Sequence, residues 1–368
     1  MILMNDFKAT SPALRTAMIA AFTRVIDGGH YVLGPEVAAF ERHWAARCGL
    51  QHGIGVGNGM DAIEIALRAL AIGPGDEVIT TSMTAFATVL GVLRAGAAPV
   101  LADIVPETGL LDIDSVQRCL TPRTRAVILV HLYGQMRQMD RWLALCRDAG
   151  IELIEDCAQA HLAQSRGRVA GSLGHAGAYS FYPTKNLGAI GDAGMLVTDD
   201  AALADNAARL RNYGQSTRYH HSVAGLNSRL DELQAALLLE RAKSLAEATT
   251  RRQTIAQAYT QGIRPGAVLL QAPAEELASH VHHLFVVTCD DREALQAHLQ
   301  AHGVQSLIHY PVPLHRQPPC RQLATDPQGL AACETHAARC LSLPCAPHLS
   351  DTDVGHVIAA VNDFRPAN

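Results

Sequence analysis

The chain has 368 residues, 48% hydrophobic and 18% charged, with a net charge of −5. That is enough apolar material for a large core divided between two domains. The absence of any dense run of lysine or arginine argues against a nucleic-acid surface, and the lack of an uninterrupted apolar window of about 18 residues argues against a helical membrane span. The opening MILMNDFKATSP has no basic start followed by a long apolar stretch, so no secretory signal is read and a cytoplasmic protein is expected.

Taken in chain order, Gly55 to Leu70 (GVGNGMDAIEIALRAL) reads as a glycine-rich turn entering an amphipathic helix. Glu77 to Thr81 is a short apolar strand, Thr84 to Ala95 has helical spacing, and Ala98 to Ile104 is again a strand. Arg125 to Leu132 is a continuous apolar run, the pattern of a strand buried on both faces. Gln138 to Ala149 is helical, and Ile151 to Ala158 is a strand that ends in polar residues. Such alternation predicts a mainly parallel, doubly wound α/β sheet with ligands beyond the carboxyl ends of its strands. A long helix is predicted from Leu230 to about Ala248 and a second from about Arg252 to Tyr259. After Gly262 prolines break the chain, leaving a strand at His283 to Cys289 and helices near Arg292 to His302 and Asp351 to Phe364. The expected division is a large α/β domain over 1–245 and a smaller α+β domain over 246–368.

Nine cysteines without a CxxC pair read as reduced thiols. The His220–His221 and His282–His283 pairs are sequence neighbours, not i,i+4 partners on a helix, so no metal site is expected.

The chemistry concentrates in two stretches. Lys185 is one of three lysines and sits in GAYSFYPTKNLGAIGDAG (Gly177 to Gly194), 29 residues after Asp156 of IEDCAQAH (Ile154 to His161). A lysine amine can lose its proton in a dry pocket and condense with an aldehyde, which arginine cannot do. A carboxylate at a strand end suits a protonated pyridine nitrogen, which makes the ring an electron sink. The pair therefore points to pyridoxal phosphate. Gln159 is placed to meet the ring hydroxyl and His161 to pack near it, while Ser180 and Thr184 offer hydroxyls to a phosphate. The amides of Gly59 and Met60, at a helix N-terminus, point at an anion. No GxGxxG or GxxxxGK[ST] pattern occurs, which disfavours a dinucleotide or nucleoside-triphosphate site.

These blocks occur in order with YVLGPEVAAFE (Tyr31 to Glu41), RNYGQSTRYHH (Arg211 to His221), GLNSRLDELQAALL (Gly225 to Leu238) and HYPVPLHRQP (His309 to Pro318). Together they resemble the DegT/DnrJ/EryC1/StrS sugar aminotransferases over about Tyr31 to Phe364. The resemblance implies fold type I, the aspartate aminotransferase-like architecture of pyridoxal-phosphate transferases. It implies that Lys185 carries the cofactor, Asp156 pairs with its ring nitrogen and Gln159 with its hydroxyl. Gly59, Met60 and Ser180 are implied phosphate contacts, with Asn227 reaching in from a second subunit of a homodimer that shares two active sites. Arg229 is implied to hold the carboxylate of the amino donor, glutamate. Arg218 and Tyr219 are implied to approach the nucleotide diphosphate of a TDP-linked keto-deoxysugar, and Tyr182, His309 and Tyr310 to line the sugar pocket.

Three positions depart from the family pattern. Leu162 stands where glycine is usual, Ala85 where an aromatic often covers the ring (the aromatic here is Phe86, one position on), and His282 where tyrosine is common. The blocks HLYGQ, RNYGQSTRYHH and GLNSRLDELQAA most resemble enzymes that aminate C3 of a TDP-3-oxo-6-deoxyhexose. Alternatives are amination at C4 of a nucleotide-4-keto sugar and a non-catalytic regulator that keeps the cofactor.

Overall fold

The computed structural model describes residues 1–366. Its main sheet has eight strands: β1 (His52–Val56), β2 (Glu77–Thr81), β3 (Ala98–Ala102), β4 (Thr124–Val130), β5 (Glu152–Asp156), β6 (Ala176–Ser180), β7 (Gly194–Thr198) and, late in the chain, β10 (Ala324–Thr325). They lie in the order β1-β7-β6-β5-β4-β2-β3-β10. Pairings from β6 to β10 are parallel, while β7 runs antiparallel to both β6 and β1. The β2 residues are buried throughout, as the uninterrupted apolar pattern requires when helices cover both faces. One apolar cluster, including Ile63, Val89 and Ile128, fills one side, and another, including Phe40, Trp44, Val127 and Tyr179, fills the other.

Register places Val130, Asp156 and Ala178 side by side, so the carboxyl ends of β4, β5 and β6 open together. The chain adds β3 on one side of β2 and then β4 on the other, and that reversal leaves a crevice at the strand ends.

A second sheet, β8 (Val268–Leu270), β9 (Phe285–Cys289) and β11 (Cys340–Leu343), is antiparallel in the order β8-β9-β11. It has its own core, with Tyr259, Phe285, Leu299 and Val357 among its members. The predicted long helix over Leu230 to Ala248 is in fact two: Glu232–Ala242 and Leu245–Gly262. The break falls at Lys243 and Ser244, with no glycine or proline to announce it. Leu238 and Leu245 pack into the core beneath the main sheet, whereas Ile255 and Tyr259 belong to the second core. Consecutive helices that serve two separate cores require a break that helical periodicity does not reveal.

No helix among the described residues is long and apolar enough to cross a membrane. All nine cysteines are free and buried.

Candidate active site

Asp156 is the last residue of β5 and is 6% exposed. Its Oδ2 accepts from Thr88 Oγ1 at 2.8 Å and its Oδ1 from the Ala158 amide at 3.1 Å. Thr88 lies in the Phe86–Ala95 helix that follows β2, and its hydroxyl is also 3.1 Å from that of Thr84. Both carboxylate oxygens are thus fixed before any ligand arrives. Lys185 follows β6 in a turn closed by its own amide, which donates to Tyr182 O at 2.8 Å. Desolvation holds the part-buried Lys185 amine down to about 8, against a smaller upward pull from the Asp156 charge. Lys185 thus feels the Asp156 charge from the neighbouring strand, and burial makes its amine give up a proton more readily than an ordinary lysine.

Gly59 begins the Gly59–Ala69 helix, capped by the Asn58 side chain, which accepts from the Asp61 amide at 2.9 Å. A Cβ on Gly59 would lie 2.7 Å from the Ser180 Cβ, so only glycine lets this helix end press against the end of β6. Gly59 and Met60 lie in the first helical turn, where amides have no intrahelical acceptor, and the Ser180 hydroxyl sits beside them. Gln159 is oriented by the Tyr133 amide, which donates to Oε1 at 2.6 Å, while its Nε2 donates to Tyr310 Oη at 3.2 Å. The Tyr133 hydroxyl donates to His309 O at 2.6 Å, and His309 Nδ1 lies 2.9 Å from Ser342 Oγ. Tyr310 thus stands on the same amide that was assigned to the ring hydroxyl. Burial pushes its phenol up to about 12, with the Asp156 charge adding to the effect.

Tyr182 is 51% exposed at the rim. It joins Lys185, Arg241 and Arg252 in lining a cavity of about 1060 Å³ on the outer side of the lysine turn. Thr184 is part-buried in the same turn. The remaining expected residues lie on the segment over 212–229. Arg218 bonds Tyr219 Oη at 3.2 Å, Arg229 bonds Asn212 Oδ1 at 3.1 Å and lies over the Tyr213 ring, and Asn227 is exposed. None of these contacts reaches Lys185 or Asp156.

His161, expected to pack near the ring, lies behind the lysine turn within the aromatic core, close enough to Lys185 to feel its charge. It is fully buried among Trp44, Tyr179 and Phe181. Burial, and secondarily the Lys185 charge, hold its imidazole down to about 3. Phe86 is the first residue of its helix and 37% exposed, with Ala85 as the cap. Leu162 has φ +67°, the conformation for which glycine is the natural occupant, and His282 likewise has φ +44°.

Sequence reasoning missed Thr88, Tyr133 and Asn186. The i,i+4 spacing of Thr84 and Thr88 was a usable signal for the first; the others are visible only as tertiary contacts. His131, Glu155 and Cys157 bring ligand-type atoms within 4.8 Å of one another. Glu155, however, already accepts from His131 and from the amides of Gly171, Leu173 and Gly174.

The donor set fits pyridoxal phosphate: a desolvated amine, a fixed carboxylate one strand away, an oriented amide, and a glycine-lined anion cradle. The profile of the DegT/DnrJ/EryC1/StrS aminotransferase family matches residues 12–362. The chain is 44% identical to the dTDP-3-amino-3,4,6-trideoxy-alpha-D-glucose transaminase of Streptomyces venezuelae, over 98% of this chain and 95% of that one. It is 40% identical to the dTDP-3-amino-3,6-dideoxy-alpha-D-galactopyranose transaminase of Aneurinibacillus thermoaerophilus, over 99% of each. The crystal structure of S. venezuelae DesV in complex with a ketimine intermediate superposes with a TM-score of 0.94 at 43% identity, covering 98% of both chains. The architecture is fold type I, the cofactor is pyridoxal phosphate, and the chain belongs to the DegT/DnrJ/EryC1/StrS aminotransferase family.

Proposed function

We propose that the protein transfers an amino group from glutamate to C3 of a TDP-linked 3-oxo-6-deoxyhexose. The observation that carries the reading is the pairing of Lys185, held down to about 8, with the doubly hydrogen-bonded Asp156 at the strand ends. The regiochemistry and nucleotide are supported by the names of the two relatives, both dTDP-3-amino-sugar transaminases. When bound, pyridoxal phosphate supplies the electron sink for carbanion chemistry. Lys185 would hold the aldehyde carbon and, when released, carry a proton between the donor carbon and the cofactor. Asp156 would keep the ring nitrogen protonated, and Gln159 would orient the ring through its hydroxyl. Gly59, Met60 and Ser180 would hold the phosphate.

Tyr182, His309 and Tyr310 would line the sugar pocket. Asn227 would complete the phosphate site of a second copy, with Arg229 holding the donor carboxylate and Arg218 and Tyr219 meeting the nucleotide diphosphate. A homodimer is supported by the exposed apolar side chains Ile19, Phe22 and Ile26 of the Pro12–Gly28 helix and by Tyr31, Val32 and Leu33 just after it. Residues 1–245 would form the cofactor-binding domain and 246–368 the smaller one. Nine free thiols suit a cytoplasmic protein.

The test has two arms. Purified protein should absorb as an imine with pyridoxal phosphate, and Lys185→Ala should lose the band; a band that persists removes the lysine assignment. Incubation with glutamate and a panel of TDP- and UDP-linked 3-keto and 4-keto sugars, read by NMR, should give the C3 amine on TDP. A C4 amine would overturn the regiochemistry.

A further inference from the structure

The residue after the cofactor lysine is held by the segment that leads into the second sheet. Asn186 Nδ2 donates to Val281 O at 3.2 Å, and Asn186 Oδ1 lies 3.1 Å from His283 Nδ1. A backbone carbonyl only accepts, so the amide nitrogen must face Val281 and its oxygen must face the histidine. His283 Nδ1 is therefore the donor, and the ring carries its proton there. Nε2 is left as a bare acceptor.

The same short segment touches the other half of the site. Val281 N donates to Gly134 O at 2.9 Å, and Leu284 N donates to Tyr133 O at 3.3 Å. The Tyr133 amide is the group that orients Gln159. A Cβ on Gly134 would lie 2.8 Å from Gln159 O and 3.1 Å from His283 N, so the two stretches are in close contact with no room to slide. Behind them Arg252, 7% exposed, donates from Nη1 to the carbonyls of His282 (3.3 Å), His283 (3.4 Å) and Cys345 (2.9 Å). These partners are carbonyls, with no carboxylate among them. A buried guanidinium is costly, and here its Nη1 ties the 282–283 backbone to the Cys345 carbonyl.

We propose that Asn186 and His283 are a positioning pair for Lys185, fixing the lysine turn to the 281–284 segment that also orients Gln159 through Tyr133. The amine and the ring-hydroxyl contact are thereby set at a constant separation, as approach of an amine to an aldehyde requires. Burial, then the charges of Lys185 and Arg252, hold the His283 imidazole well below the ordinary histidine value, so the donor tautomer persists through neutral pH.

The proposal rests on the reading of Lys185 as the cofactor-bearing residue, and one experiment separates the two. Apo-protein is mixed with pyridoxal phosphate, and growth of the imine band is followed in wild type, Lys185→Ala, Asn186→Ala, His283→Phe and His283→Asn. Asparagine keeps a donor where Nδ1 stood, whereas phenylalanine keeps only the ring's bulk. Loss of the Asn186–His283 hydrogen bond should slow attachment about five-fold in His283→Phe, and Asn186→Ala, which also loses the bond to Val281 O, should be slowed at least as much, with His283→Asn within about two-fold of wild type. Attachment by His283→Phe at the wild-type rate, or His283→Asn falling as far as His283→Phe, would overturn the pair. No imine band in wild type, or an unchanged one in Lys185→Ala, would overturn the lysine reading and the pair with it.

Discussion

At the scale of single residues, the carboxylate at the end of β5 shows how a charge is prepared for a partner. Asp156 is buried, and such a group is stable only when its oxygens are occupied. Thr88 and the Ala158 amide occupy one each, and a protonated ring nitrogen would complete the set. Thr88→Val keeps the shape and removes the hydroxyl. A hydrogen bond to a charged group contributes about 1.5–3 kcal/mol, so affinity for pyridoxal phosphate should fall about ten-fold or more. Absorbance titration of the apo-protein measures this; unchanged affinity would mean that Thr88 only packs. Leu162 belongs to the same scale. Its left-handed backbone is one that a β-carbon disfavours, and its side chain offsets this by packing against the core that contains Trp44 and Tyr179.

At the scale of elements, helix ends are held by side chains from distant parts of the chain. The Pro35–Cys48 helix has glycine at its cap and no local side chain to accept its first amides. Glu232, 1% exposed, does so instead: its carboxylate accepts from Gly34 (2.6 Å), Glu36 (2.9 Å) and Val37 (3.0 Å). This ties that helix to the one beginning at Glu232, immediately after the Asn227–Arg229 segment. Glu232→Ala strands three amides, that of Val37 buried and those of Gly34 and Glu36 part-buried, and should cost about 2–4 kcal/mol. A drop in thermal unfolding temperature would show it, whereas a variant as stable as wild type would mean that water replaces the carboxylate. The division at Lys243 and Ser244 has the same character. The Glu232–Ala242 and Leu245–Gly262 helices serve different cores, and the bend follows from where those cores lie.

At the scale of the whole molecule, removal from water disfavours the charge of several buried or part-buried histidines. Burial holds His161 down to about 3, and His282, His309 and His336 down to about 4. In the unfolded chain these rings protonate near 6.5, so between roughly pH 6.5 and 4 the unfolded state binds more protons. Stability is full above that window and is lost as the pH falls through it. Thermal unfolding of the apo-protein should shift down steeply between pH 7 and 4.5, and His161→Phe should flatten the slope; a flat wild-type profile would contradict the buried neutral rings. Much of the architecture was legible in the chain itself. Runs such as Arg125 to Leu132 announce strands covered on both faces, and the Asp156 and Lys185 blocks mark where chemistry belongs, because local order and side-chain type are written residue by residue. Which amide orients Gln159, which glutamate caps a helix 196 residues away, where the Leu230 helix bends, and that His161 faces a core of aromatics were decided only on folding. Those outcomes depend on contacts between segments far apart in sequence, and neither periodicity nor residue type encodes which distant surfaces will meet.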